Sequence, residues 1–86
     1  MNGAYAVTVL PRAQKVLAAI RSPDFERVRD AIRKLSSTPR PSGCKKLTGR
    51  DGWRIRVGRF RVIYEIDDMN RLINVLDVGD RRDVYR

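Results

Sequence analysis

The sequence predicts a small α+β protein in which two N-terminal helices pack on one face of an antiparallel-dominated, twisted sheet, in the order β-α-α-β-β-β. Three observations support this prediction. Apolar residues recur at helical spacing in two segments between residues 11 and 36, they alternate with polar residues in two later segments, and a stretch rich in loop-forming residues lies between. With 86 residues, the chain is expected to form a single domain, residues 1–86.

The first half of the chain is predicted to form one strand and two helices. Residues 5–10 are rich in β-branched and aromatic side chains, which favours a short strand. Pro11 suits the first turn of a helix, and one apolar stripe follows it: Ala13, Val16, Leu17 and Ile20. Ser22 and Pro23, a capping hydroxyl and a proline, predict a second helix start. Its apolar face extends to about Ser36 through Phe25, Val28, Ile32 and Leu35.

The second half is predicted to form three strands. Residues 37–43 (STPRPSG) have the composition of a loop. Apolar residues alternate with polar ones in residues 53–57 and again in residues 60–66, which indicates two half-buried strands, and residues 58–59 between them suit a two-residue hairpin turn. The nearly continuous apolar run of residues 72–78 predicts a central strand covered on both faces.

The composition restricts the chemistry that is available. The chain has no histidine and one cysteine, Cys44, so an internal disulfide, a multi-cysteine metal site, histidine acid/base catalysis and histidine–zinc sites are excluded. We therefore expect no metal and no cofactor, and Cys44 is interpreted as a loop thiol. No apolar run is long enough to span a membrane and no secretory signal is recognisable, so a cytoplasmic protein without a membrane partner is expected.

Positive charge is concentrated in one part of the chain. The net charge is +9, and between residues 40 and 61 the cations greatly outnumber the one acid, Asp51. This clustering favours a polyanionic partner, such as nucleic acid, the ribosome or an acidic protein. The cations are Arg40, Lys45, Lys46, Arg50, Arg54, Arg56, Arg59 and Arg61.

Three of the arginines are predicted to share one face of the hairpin. If residues 58–59 form the turn, Arg56 pairs with Arg61 and Arg54 pairs with Ile63, which brings the three guanidinium groups into one patch. Like charges directly opposite one another cost up to about 1 kcal/mol per pair. An anion site explains this cost, because guanidinium forks bind phosphate bidentately. The alternative is that the arginines extend into water and keep the sheet soluble.

The C-terminal residues add further candidates. Arg81 and Arg82 follow the last predicted strand and are placed to reach the same face. Tyr85 has two interpretations: an aromatic side chain that packs against the core, or a phenol that stacks on RNA bases beside a phosphate site.

Together these residues resemble a known family. The segments KLTG (46–49), WRIRVGRFRVIYEI (53–66) and VGDRRDVYR (78–86) resemble the RelE branch of the RelE/ParE superfamily of toxin–antitoxin toxins, over essentially the whole chain. The resemblance implies a ribosome-dependent endoribonuclease, or mRNA interferase, that cleaves mRNA in the 30S A site and so inhibits translation. It also implies neutralisation by a RelB-like acidic antitoxin.

The resemblance assigns roles residue by residue. Arg61 would hold the scissile phosphate, Arg81 would be the basic catalytic residue after the last strand, and Tyr85 would be the catalytic tyrosine. The implied reaction is attack of the RNA 2′-hydroxyl on the adjacent phosphate, which leaves a 2′,3′-cyclic phosphate and a 5′-hydroxyl. The implied RNA- and phosphate-binding residues are Lys46, Arg54, Arg56 and Arg82.

The sequence departs from the RelE pattern at two places. Arg54 and Arg56 stand where well-known RelE toxins have lysines, and an arginine does not readily give up a proton. The general base is therefore expected to be Tyr85 or Lys46, with Tyr85 favoured. Asp80 stands where related toxins often carry a histidine; it could orient an arginine or partly neutralise the patch, and the general acid is left unassigned.

Two other functions are compatible with the sequence. ParE-like relatives share the fold but inhibit DNA gyrase, and they typically lack the combination of Arg61, Arg81 and Tyr85. A general nucleic-acid-binding protein would explain the charge of +9 but not the convergence of arginines on one hairpin face.

Overall fold

The computed structural model describes residues 4–80 of the chain. Two helices and five strands follow one another in the order β1, α1, α2, β2, β3, β4, β5. Within the described part, neither helix is both long enough and apolar enough to cross a membrane. The elements are β1 (Ala6–Val9), α1 (Pro11–Ala18), α2 (Asp24–Lys34), β2 (Lys45–Lys46), β3 (Trp53–Val57), β4 (Phe60–Asp67) and β5 (Leu72–Asp80).

The five strands form one mixed sheet in the order β1-β5-β4-β3-β2. β1 runs parallel to β5, and every other neighbouring pair is antiparallel. The long connection through the helices allows the parallel pairing, because parallel strands need a crossover. The predicted α+β fold with an antiparallel-dominated sheet is confirmed.

Both helices pack on the same face of the sheet, as predicted. Their apolar stripes meet the strand residues that point toward them, while alternate strand residues point to the opposite face, which we call the outer face. The buried core consists of Ala13, Val28, Ile32 and Leu35 from the helical half and Ile55, Phe60, Val62, Tyr64, Ile73, Val75 and Val78 from the strands.

The start of α2 differs from the prediction. Pro23 occupies the N-cap position, the helix begins at Asp24, and no side chain caps it. Ser22, predicted to be the capping hydroxyl, instead donates a 2.7 Å hydrogen bond to the carboxylate of Glu26. Asp24 and Glu26 still place negative charge at the positive end of the helix dipole.

Two features of the sheet also differ from the prediction. The edge strand β2 was not predicted, because a strand of two residues has no measurable periodicity. β5 is central, but among the described residues the helices cover only one of its faces; Asn74 and Asp77 on the outer face are partly exposed. A bulge between Ile63 and Tyr64 shifts the β4–β5 register and leaves Leu76 without a partner, which explains the consecutive apolar residues Val75 and Leu76.

A polar cluster around Asp68 connects three parts of the chain. The Tyr5 hydroxyl donates a 2.6 Å hydrogen bond to one oxygen of Asp68, and Arg40 donates a 2.8 Å bond to the other. Arg40 also lies over the Trp53 ring, 5.1 Å from its centroid. The cluster therefore ties the residue before β1 and the α2–β2 loop to the β4–β5 turn. The hydrogen bonds from Arg40 and then Tyr5 lower the pKa of Asp68.

Acid is expected to weaken this cluster. Because the pKa of Asp68 is lower in the folded protein, its contribution to stability is present above the ordinary value of 3.8 and is lost as the pH falls through the lowered value. Asp68→Asn should lower the unfolding midpoint at pH 7 and flatten the loss of stability below pH 3.8. Urea unfolding between neutral pH and strong acid measures both effects.

Asp30→Asn is a matched control for Asp68→Asn. The two carboxylates have the same side-chain exposure, 54%, but Asp30 pairs with its sequence neighbour Arg29 and joins no separate elements. It should change the unfolding midpoint less. Equal effects of the two substitutions would contradict a connecting role for Asp68.

Candidate functional site

The β3–β4 hairpin places three arginines on the outer face of the sheet. Its turn is formed by residues 58–59, and Gly58 has φ +60°, a conformation that glycine adopts readily. Arg56 is directly opposite Arg61, and Arg54 is directly opposite Ile63. The predicted register is confirmed pair by pair, and with it the shared face of the three arginines.

Arg61 lies in the middle of this face and is only 6% exposed. Its cross-strand neighbours are Arg56 on β3 and Gly79 on β5. Gly79 is buried and has no side chain, so the β5 backbone itself lies next to Arg61 on that side. A buried cation has already lost side-chain freedom, so less entropy is lost when it binds an anion.

Lys45 extends the cationic row to the edge of the sheet. It is directly opposite Arg54 in the β2–β3 pair and therefore shares the outer face with the arginines. Lys45 was expected only as one of the clustered cations and not as a site residue, since its one local signal is its position next to Lys46. We call Lys45, Arg54, Arg56 and Arg61 the arginine face.

The structure does not bring Lys46 to the arginine face. Lys46 is directly opposite Trp53, whose side chain points to the helix side and packs against the core. The Lys46 ammonium lies 5.7 Å from the centroid of the Trp53 ring. Lys46 and the arginine face therefore lie on opposite sides of the sheet. This geometry favours a role for Lys46 at the sheet edge over a role as the base at a phosphate bound by Arg61.

Asp80, which the sequence suggested could orient an arginine, lies at the end of β5. Its carboxylate is 3.0 Å from the Nε of Arg59 in the hairpin turn. It is paired with Phe60 across the strands and so lies on the helix side, one position from Arg61 and Gly79. Asp80 therefore neutralises the turn arginine without being placed among the outer-face arginines.

The remaining predicted site residues cannot be placed. Arg81, Arg82 and Tyr85 lie outside the described residues, and their roles stay predictions.

Cys44 is half-buried next to Tyr64, which is itself part of the core. Burial, followed by the neighbouring Cys44, raises the pKa of Tyr64, and its hydroxyl donates a 2.7 Å hydrogen bond to the Pro39 carbonyl. Tyr64 is therefore a structural phenol that stays neutral.

The arginine face is suited to binding a phosphodiester. Guanidinium groups keep their charge at all physiological pH values and present parallel N–H donors to two phosphate oxygens. Arg56 and Arg61 lie directly opposite each other, at about 5 Å between Cβ atoms in such a pair, so one phosphate can contact both side chains. The face can therefore hold a phosphate and stabilise charge that develops on it.

Comparison with solved structures places this geometry in a known group of proteins. A chain of the archaeal RelE–RelB complex from Pyrococcus horikoshii OT3 has 26% identity and a TM-score of 0.82, covering 91% of this chain and 96% of that chain. A chain of the RelBE toxin–antitoxin complex from Mycobacterium tuberculosis has 26% identity and a TM-score of 0.78, with 94% and 95% covered.

A more distant structure shares the fold. The YoeB/ParE toxin from Agrobacterium tumefaciens has 18% identity and a TM-score of 0.73, covering 87% of this chain and 96% of that chain. Comparison of the sequence with curated proteins gives no match.

A family model matches almost the whole chain. The model describes the ParE toxin of the type II toxin–antitoxin system parDE, and it matches residues 7–85. The match spans most of β1, both helices and the arginine hairpin. The chain is a type II toxin of the RelE/ParE superfamily and belongs to the ParE toxin family.

Proposed function

We propose that this toxin is an endoribonuclease that cleaves mRNA in the ribosomal A site and so stops translation. The observation that carries the proposal is the convergence of Arg54, Arg56 and Arg61 on the outer face of the sheet, away from the helices. Similar structures at 26% identity are of RelE toxins, which supports the same activity for this chain.

The proposed reaction is a transesterification within the RNA. The 2′-oxygen loses its proton and forms a bond to the neighbouring phosphorus, while the bond from phosphorus to the 5′-oxygen breaks and that oxygen takes up a proton. Arg61 binds the phosphate and stabilises the additional negative charge of the transition state. Arg54 and Arg56 hold the flanking backbone, and the ribosome supplies positioning of the substrate.

Tyr85 is the proposed general base. Arginine does not release its proton readily at physiological pH, and Lys46 lies on the helix side of the sheet with its ammonium over Trp53. A phenol can give up its proton more readily than a guanidinium group, because its ordinary pKa is lower. Among the residues assigned to the site, Tyr85 is then the one that can accept the 2′ proton.

Inhibition of DNA gyrase is the second candidate function. It is favoured by the match to the ParE family model over residues 7–85. In that case the arginine face would be a protein-binding surface, and no RNA cleavage would occur. The two candidate functions therefore differ in whether cut mRNA is formed, which can be measured directly.

The proposed partner is an acidic, RelB-like antitoxin. Similar RelE toxins form complexes with RelB antitoxins. In this chain, a groove of about 430 Å³ lies between α2 and β3. Ala31, Ile55 and Val57 give it an apolar floor, and Lys34 of α2 places positive charge beside it. An antitoxin segment with apolar and acidic residues fits these properties.

Cleavage of ribosome-bound mRNA tests the proposed function. Programmed ribosomes are incubated with the toxin, and primer extension locates new 5′ ends, with the same RNA in the absence of ribosomes as the control. Cuts within the A-site codon are expected. A parallel assay measures DNA supercoiling by gyrase. Inhibition of gyrase without any cut in the mRNA would replace the nuclease with the ParE-type activity.

A further inference from the structure

A polar cavity lies beyond the start of β3, at the end of the sheet that is remote from the hairpin turn. β3 begins at Trp53, opposite Tyr64, but β4 continues through Asp67. The missing length of β3 leaves a notch in the sheet, and a cavity of about 300 Å³ occupies it. This volume is at the small end of the range for ligand sites in proteins. We call it the β4 notch.

The β4 notch continues the row of side chains that contains the arginine face. Side chains two residues apart on a strand share a face, so Glu65 is on the same side of β4 as Arg61. Glu65 is directly opposite Asn74 on β5, which lines the notch with it. Four residues at about 3.3 Å each put Glu65 roughly 13 Å from Arg61 along the strand.

The polar groups of the notch are available for a ligand. Within residues 4–80, the side chains of Asp51, Glu65 and Asn74 make no hydrogen bond or ion pair to the protein. Asp67, which also lines the notch, differs because both of its carboxylate oxygens accept hydrogen bonds from Asn70. The unused groups offer carboxylate acceptors and one amide, and all three residues line the same small volume.

The charge of the notch is opposite to that of the arginine face. Its lining includes three carboxylates, from Asp51, Glu65 and Asp67, and one ammonium, from Lys46. A phosphate is repelled from such a site, whereas a neutral ring with N–H donors is attracted. An RNA strand that places a phosphate at Arg61 can therefore direct the base of a neighbouring nucleotide toward the notch.

From this arrangement we infer that the β4 notch is a base-reading subsite that prefers guanine in the RNA substrate, an inference that rests on the proposed nuclease function. Ionised carboxylates only accept hydrogen bonds. The Watson–Crick edge of guanine presents two adjacent N–H donors, at N1 and N2, which match the two oxygens of Glu65. Uracil presents one N–H between two carbonyl groups, and these repel a carboxylate. Asn74 can donate to the guanine O6.

Lys46 has a defined place in this subsite. Its ammonium is held over the Trp53 ring at the edge of the notch. There it can contact the phosphate of the nucleotide whose base enters the notch. The assignment explains how a cation on the helix side of the sheet contributes to RNA binding although it is separated from the arginine face.

Base preference can be measured without relying on cleavage. The probes are short 2′-O-methyl RNA oligonucleotides, which lack the 2′-hydroxyl nucleophile and differ only by G, A, C or U at one position. Wild type is expected to favour guanine at one position, and Glu65→Gln should reduce that preference by about 5-fold or more, as for loss of a bidentate base contact. Asn74→Ala should reduce it in the same direction.

Asp30→Asn is the control for these variants, because it removes one negative charge from α2 on the other side of the sheet. It should leave the base preference unchanged. The inference is wrong if wild type shows no base preference, or if Glu65→Gln retains the wild-type preference. Since Glu65 is exposed, its replacement by glutamine should not disturb the fold, and circular dichroism checks this.

The cleavage spectrum separates this inference from the proposed function. Ribosomes with A-site codons that differ in one base are treated with wild type and Glu65→Gln. A-site cuts with the same codon spectrum in both would overturn the subsite and leave the nuclease intact. Absence of cuts, together with guanine-selective binding that Glu65→Gln removes, would overturn the nuclease and retain the subsite.

Discussion

Arg61→Ala is expected to reduce cleavage of ribosome-bound mRNA by more than about 100-fold, the effect of losing one charge-stabilising group at a reacting phosphate. Arg61 is the buried arginine of the outer face, at 6% exposure, and it lies directly opposite Arg56. On the β5 side, Gly79 has no side chain that could take its place. The measurement is the rate of A-site cutting by primer extension at saturating toxin.

A conservative substitution distinguishes charge from geometry at this position. Arg61→Lys keeps the positive charge but loses the two parallel donors of the guanidinium fork. An intermediate rate is therefore expected if Arg61 binds the phosphate bidentately. A rate as low as that of Arg61→Ala would indicate that the fork itself is required. Arg81→Ala is expected to act in the same direction as Arg61→Ala.

Arg33→Ala is the matched control for Arg61→Ala. It also removes one positive charge, but Arg33 is exposed on α2, on the other side of the core from the outer face. It should retain nearly the wild-type cutting rate. Equal impairment of the two variants would indicate that total charge determines activity, and a wild-type rate for Arg61→Ala would contradict the role of Arg61.

The hairpin could be predicted because its determinants are local. A glycine at the turn with φ +60° and a strict alternation of arginine with apolar residues fix which residues are opposite one another. A slip by one residue would bury the arginines and expose the core residues, so competing registers are strongly disfavoured. The shared face of Arg54, Arg56 and Arg61 follows from that register alone.

The face of Lys46 could not be predicted in the same way. Consecutive residues on a strand point to opposite sides, so one of Lys45 and Lys46 had to face the arginines and the other the helix side. The choice is determined by pairing of β2 with β3, across a loop of six residues with no alternating pattern. The family pattern pointed to Lys46, whereas the pairing places Lys45 opposite Arg54.

The β4 notch was also invisible in the sequence, for a related reason. Glu65 and Asn74 look like ordinary polar residues of half-buried strands. They become part of a cavity only because β3 begins opposite Tyr64 and leaves the end of β4 without a neighbour on that side. Relative strand lengths are a property of the assembled sheet, which local periodicity does not report.

Leu35→Ala is expected to destabilise the protein by about 2–5 kcal/mol, the range for a buried leucine replaced by alanine. Leu35 follows α2 directly, is 1% exposed and belongs to the core between the helices and the sheet. Small domains have only about 5–15 kcal/mol of stability in total, so the midpoint of urea unfolding should fall markedly without a large change in slope.

Met69→Ala tests whether burial causes this effect. Met69 is an apolar residue of similar size but is 92% exposed in the β4–β5 turn, so its replacement should change stability by less than about 0.5 kcal/mol. An effect of Leu35→Ala as small as this would contradict the packing of α2 on the sheet.

Under conditions in which Leu35→Ala is still folded, its cutting rate should be close to wild type, because Leu35 lies on the helix side of the sheet. Arg61→Ala should show the reverse, with activity lost and the fold retained, and only that opposition assigns the arginine face to function.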